Sequence, residues 1–295
     1  MTKLAVCRQL GYTPQAYYKS LGRQQIKQTR HQGIRQRVVT VRRDMPRLGT
    51  RKLHHLLEKE RKPGQPGIGR DWLFNFLRTE GLLVTRKKKY VRTTDASQWR
   101  RQYPNLVQNK RPNRPEQLWV ADITYLITQQ GYRYLHLLTD AYSKKIMGYA
   151  ISEDLSARHT VQALQAALLQ RQYNHPLIHH SDRGVQYCSG QYTQLLQHGA
   201  IRISMTQDGS PYENAVAERI NGILKQEYGL DEPSSNDAAL RAQVKHAVAS
   251  YNNRRPHWSC WLNTPEQMHQ QDQLPVRQWH KKTAADPSKQ WTLLP

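Results

Sequence analysis

The chain reads as an α/β protein, a mixed sheet flanked by helices, with a small all-α region ahead of it. Two observations predict the sheet. Strand-like runs at 118–126, 132–140 and 145–152 follow one another across short connections, the pattern of an antiparallel meander. Beyond residue 157 helical and strand patterns alternate, which adds helices and further strands to the same sheet. The all-α region is predicted by a third observation: before residue 93 the apolar residues recur at helical spacing.

Taken in order, residues 1–92 form the basic helical region. Ala5 to Tyr18 has a helix, a Gly-containing turn and a helix. Leu53, Leu56 and Leu57 mark a further helix, and Leu73, Phe76 and Leu77 another, with Gly81 placed to stop it and the Pro- and Gly-rich stretch 62–69 between the two. Two short amphipathic helices around a turn, followed by Arg86, Lys87, Lys88 and Lys89, suggest a helix-turn-helix DNA-binding unit. The competing reading is a small bundle with a solvated basic face. Residues 1–100 hold 24 Lys and Arg against 6 Asp and Glu, so +18 of the net +23 lies in this third. Charge this localised favours nucleic acid as partner.

Residues 93–113 are polar, carry Pro and lack periodicity, and read as a linker. Residues 114–270 form the second unit and 271–295 a tail. Within that unit, after the meander, come a helix from Ala157 to about Gln172, a strand at 177–180, a helix at 189–198 and a strand at 200–204. Ser210, Pro211 and Glu213 supply an N-cap, a first-turn Pro and an acid three residues after the cap, so the next helix is expected to start near Pro211.

Composition excludes several classes. No run of about 18 apolar residues is present, and residues 1–18 lack the apolar core of a signal peptide, so membrane insertion and secretion are not expected. Cys7, Cys188 and Cys260 are odd in number and widely spaced, which argues for a reducing, cytoplasmic setting and against a disulfide framework. The adjacent pairs His54 with His55 and His179 with His180 point apart on either element and do not make a zinc site.

Three acids stand out against this basic background. Asp122 interrupts the apolar strand LWVADITYL, where a charge is costly unless paired or metal-bound. Asp182 follows an apolar strand in LIHHSDRG, at a strand end where ligands gather in α/β sheets. Glu218 lies on the expected helix: Val216, Ile220, Ile223 and Leu224 share one face, while Asn214, Glu218, Asn221 and Lys225 share the other. Clustered acids in a chain that attracts polyphosphate are suited to holding divalent cations at a phosphodiester.

Several blocks also carry a family resemblance. VADITYL, TDAYSKKIMGYA, HHSDRGVQY, SMTQDGSPYENAVAERINGILKQE and YNNRRPHWSCWLNTPEQ resemble, in order, the signature blocks of DDE transposases, above all the second-frame product of the insertion-sequence-three family, whose core is similar to retroviral integrase. The 35 residues between Asp182 and Glu218, and Lys225 seven positions further on, match that family's pattern. The resemblance implies a ribonuclease H-like fold with a mixed five-stranded sheet, catalysis and metal binding by Asp122, Asp182 and Glu218, and Mg²⁺ as cofactor, with Mn²⁺ also suited to an oxygen-rich site. It implies cutting of element-end DNA and joining of the freed 3′-hydroxyl. Lys225 and Asn214 join Arg86 and Lys87 to Lys89 as expected DNA contacts.

His180 is a candidate for orienting substrate or ligands, Asp140 is read as a turn residue, and Arg254, Arg255, Pro256 and His257 are candidates for contact with DNA or a partner subunit. The expected partners are the element's terminal repeats and target DNA, a second copy of the chain on DNA, and an upstream-frame product with a helix-turn-helix and leucine zipper, since no sustained heptad repeat is present. The expected location is the bacterial cytoplasm, at the nucleoid. Two other functions compete: a DNA-binding regulator without catalysis, and a nuclease of the same fold that cuts without joining.

Overall fold

The computed structural model describes residues 7, 9, 11–85, 103–108, 111–207 and 214–277. Its centre is a five-stranded sheet in the order β3-β2-β1-β4-β5, with β1 Leu118–Thr128, β2 Gly131–Asp140, β3 Ile146–Ser152, β4 Ile178–Ser181 and β5 Arg202–Met205. β2 runs antiparallel to β1 and β3, while β1, β4 and β5 are parallel. The meander is the one expected from sequence. Gln129 and Gln130 make the first turn, and Gly131 takes the positive φ of 112° that ends it. Strand order and directions are those of a ribonuclease H-like sheet.

Alternation along β1 sorts its side chains to two layers. Trp119 and Ala121 pack with Leu138, Met147, Ala163, Leu164 and Tyr192, beneath helices Ala157–Leu169 (here α4) and Gly190–His198 (α5). Leu126 packs on the opposite layer with Ile220, Ile223 and Leu224 of α6, Ala215–Tyr228, and with Val244 and Tyr251 of α7, Asp237–Asn253. α6 ends where Gly229 adopts φ 76° and caps it. Pro265–His269, α8, closes the chain's described elements.

The same apolar cluster continues without a break into the N-terminal helices α1 Pro14–Asp44, α2 Thr50–Lys59 and α3 Arg70–Thr79, through Ile34, Val38, Leu53, Leu57, Leu73 and Leu77. α2 and α3 lie where the leucine spacing puts them, and Gly81 follows α3 with φ 65°. Within residues 5–18, Cys7 and Gln9 are helical, Gly11 turns the chain at φ 71°, and a second helix begins at Pro14, which is the expected helix, Gly-containing turn and helix. One 31-residue helix runs from there, started by Thr13, whose hydroxyl accepts from the Ala16 N–H, and by Pro14. Gly22 and Gly33 do not break it, because an interior glycine costs only about 1 kcal/mol relative to Ala. Among the described residues no helix is long and apolar enough to cross a membrane.

Candidate active site

Asp122 sits on the α6 side of the central strand, opposite Leu137 in register. Its Oδ1 accepts the Ile123 N–H at 2.9 Å, and its Oδ2 accepts the side-chain amide of Asn221 at 2.7 Å. Burial, then the negative charge of Asp182, and more weakly that of Glu218, push its pKa up to about 7, against the two hydrogen bonds.

Asp182 lies one residue past β4, beside the strand that carries Asp122. Its Oδ1 accepts the Gly184 N–H at 3.0 Å, and burial raises its pKa. A Cβ on Gly184 would stand 3.0 Å from that oxygen and 3.0 Å from Gln186 Oε1. Glycine here serves close approach of backbone to carboxylate.

Glu218 occupies the first turn of α6 and is exposed. The helix start expected at Ser210, Pro211 and Glu213 lies outside the described residues. The sheet and α6 bring the three acids to one region, where the charges of Asp182 and Glu218 both bear on Asp122. They do not close into a ligand set: among the described residues, no three His, Cys, Asp or Glu side chains stand close enough to hold a metal ion. In donor chemistry they fit a hard divalent cation. All three offer oxygen, and a cation would offset the burial and the like charge that raise the pKa of Asp122.

The remaining sequence candidates fall in several places. Lys225 is half-buried, its Nζ 4.0 Å from the centroid of the Tyr125 ring, with burial lowering its pKa and Asp122 drawing it back up. Asn214, expected at the DNA, is instead buried, and its amide donates to the Ala121 carbonyl at 2.9 Å; it ties the start of α6 to β1. His180 is fully buried, with Nδ1 2.9 Å from Ser204 Oγ across β4 and β5, which removes it from a substrate-facing position. Asp140 is a turn residue as read: it accepts from the Ser143 N–H, the Ser143 hydroxyl and the Glu116 N–H. Arg255 is 1% exposed and grips Glu227 through two hydrogen bonds, so it is withdrawn from DNA, and Arg254 pairs with Asp44. His257 packs edge-on against Tyr251. Arg86 and Lys87 to Lys89 lie outside the described residues.

Asn221 is the residue that the sequence reading groups with the polar face without assigning a role. It is buried and is the direct partner of Asp122. The available signal was its place three residues after Glu218, on the same helical face.

Two family models, each described as an integrase core domain, match residues 112–211 and 199–265. The chain is 35% identical to the 31 kDa protein of insertion element IS600 from Shigella sonnei over 192 residues, 64% of this chain and 71% of that one. It is 38% identical to the transposase of insertion sequence element IS629 from Shigella sonnei, over 48% of each chain. With transposase InsF of insertion sequence IS3A from Escherichia coli K12 the identity is 37%, over 52% of this chain and 54% of that one. On these matches and the strand order, the chain belongs to the insertion-sequence-three family of transposases with an integrase-like core.

Proposed function

We propose that this protein is the transposase of its insertion sequence, cutting DNA at the element's ends and joining each freed 3′-hydroxyl to a target phosphodiester. The observation that carries the reading is Asp122: a largely buried acid on the central strand, under the charge of two other acids, in a chain of net charge +23.

In the first step water attacks phosphorus and the bond to the 3′-oxygen breaks, which leaves a 3′-hydroxyl. In the second that hydroxyl attacks a target phosphodiester, a new P–O bond forms, and the target's own 3′-oxygen leaves. Asp122, Asp182 and Glu218 would hold the divalent cations, Mg²⁺ or Mn²⁺, that supply activation of the attacking oxygen and stabilisation of the leaving one. Asn221 and the Ile123 N–H fix the Asp122 carboxylate, and the Gly184 N–H fixes that of Asp182. Asp122 would shed its proton on taking up a cation, so metal binding and deprotonation of this carboxylate are coupled. Lys225, on the same helix as Glu218, would meet a DNA phosphate.

The proposed partners are the element's ends and target DNA, a second copy of the chain on that DNA, and the upstream-frame product, within the bacterial cytoplasm. The test is strand transfer in Mg²⁺ on labelled DNA bearing the element's ends, wild type against Asp182→Asn. Joined products that vanish in the variant support the reading. Binding without cutting or joining, even with the upstream product added, refutes it in favour of a DNA-binding regulator, and cutting without joining favours a nuclease.

A further inference from the structure

We propose that a three-arginine cleft at the starting ends of the parallel strands is a second DNA-backbone site, which holds phosphodiesters outside the reaction centre; this rests on the reading above that the protein acts on DNA. In register, Leu118 of β1, Ile178 of β4 and Arg202 of β5 stand side by side at those ends. Against them opens a cavity of about 490 Å³, with Leu118, Ile178 and Pro176 on its apolar side and Arg111, Arg114 and Arg202 as its charged groups.

All three arginines are exposed, and among the described residues none has a carboxylate partner. No acid lines the cavity. The neighbouring Glu116 is turned inward, where its carboxylate accepts the N–H groups of Gln172 and Tyr173 and lies 3.3 Å from His269 Nε2. Three guanidiniums around an apolar floor offer an anion positive charge from more than one side. A phosphodiester suits all parts of the cleft, since guanidinium pairs bidentately with phosphate oxygens and the sugar has apolar faces.

Position argues for DNA over a free anion. Leu118 precedes Asp122 by four residues of strand, about 13 Å at roughly 3.3 Å per residue. That is about four nucleotide steps of duplex at about 3.4 Å each. Duplex that reacts at Asp122 and follows the sheet toward these strand ends would bring phosphates at least about four nucleotides away to the cleft.

The experiment is a salt titration of duplex binding by fluorescence anisotropy, with full-length wild type, Arg114→Ala, Arg202→Ala and Arg202→Lys. Each alanine variant should weaken binding several-fold regardless of sequence and lower the slope of log K against log salt by about 1, while Arg202→Lys keeps the slope. Thermal melting followed by circular dichroism should be unchanged, since both side chains are exposed. On a duplex truncated within about four nucleotides of the reacting phosphodiester, by the spacing above, the alanine variants should match wild type.

Unchanged slopes on the long duplex overturn the inference, as does an equal loss on the truncated one. Inorganic phosphate that binds wild type and not the variants by calorimetry, with DNA slopes unaltered, makes the cleft a small-anion site and overturns the DNA assignment. If wild type joins DNA while the variants keep its slope, the cleft assignment falls and the transposase reading stands. A wild type with no affinity for DNA overturns both.

Discussion

The side-chain amide of Asn221 donates to Oδ2 of Asp122 across 2.7 Å, from a helix to the central strand. It counters the burial and like charge that raise the carboxylate's pKa. A helix residue thus sets how readily the strand's acid ionises. Asn221→Leu should raise the pKa of Asp122 further, and the pH midpoint of DNA cleavage should move up by roughly half to one unit, with activity at pH 7 down about two- to fivefold. A cleavage profile with an unmoved midpoint would refute this coupling.

Asp122 also makes stability depend on pH. Its folded pKa, about 7, lies above its ordinary value of 3.8, so the folded chain holds that proton more tightly than the unfolded chain. The contribution is complete below about pH 4 and is lost as pH rises through 7. In the absence of divalent cations, Asp122→Asn should unfold in urea near parity with wild type at pH 4 and be more stable by up to about 4 kcal/mol at pH 8. Added Mg²⁺ should then stabilise wild type and leave the variant unchanged, and removal by chelation should reverse the gain.

Glu227 joins three parts of the chain. Arg255 holds it at 2.7 and 2.8 Å and Lys52 of α2 at 3.1 Å, which keeps its pKa down at about 2 despite burial. Because the folded value lies below the ordinary 4.5, this stability is present above about pH 4.5 and is lost as pH falls through 2. Arg255→Met leaves Glu227 with Lys52 alone, whose own charge burial disfavours. A loss of about 3–5 kcal/mol is expected in urea unfolding. Limited proteolysis should cut between the N-terminal helices and the sheet at a lower protease dose.

Two glycines should respond differently to alanine. At Gly148 on β3 a Cβ would stand 2.2 Å from the Ala163 carbonyl oxygen and 2.6 Å from the Ala167 nitrogen, both backbone of α4. The helix has to move, and Gly148→Ala should cost about 1–3 kcal/mol in thermal unfolding. At Gly184 the obstructing atoms are side-chain oxygens of Asp182 and Gln186, which can turn away. Gly184→Ala should leave stability nearly unchanged and reduce cleavage by displacing Asp182. Equal melting losses in the two variants would contradict this contrast.

Much of the fold was legible because local pattern and burial agree. The meander, the helix at Ala157 and the strand before Asp182 follow from period-2 and period-3.6 spacing of apolar residues, which burial enforces on any sheet with covered faces. The continuation of α1 beyond Tyr18 to Asp44 was not legible. Its first half has little buried surface, so no apolar stripe announces it, and its glycines resemble turns. Asn214 was misassigned for a related reason: an amide on a polar face can equally be the one polar group a helix buries against a strand's carbonyl.

The sequence by itself determined which acids stand apart, the alternation that makes β1 a central strand, and the basic bias of the N-terminal third, all set by residue type and spacing. Only the tertiary structure decided which charges meet. The juxtaposition of β1, β4 and α6 sets Asp122 under the field of Asp182 and Glu218, and Glu227 draws Lys52 and Arg255 from 175 residues before it and 28 after. Ionisation energies depend on distance and burial across the fold, and neither is a property of local sequence.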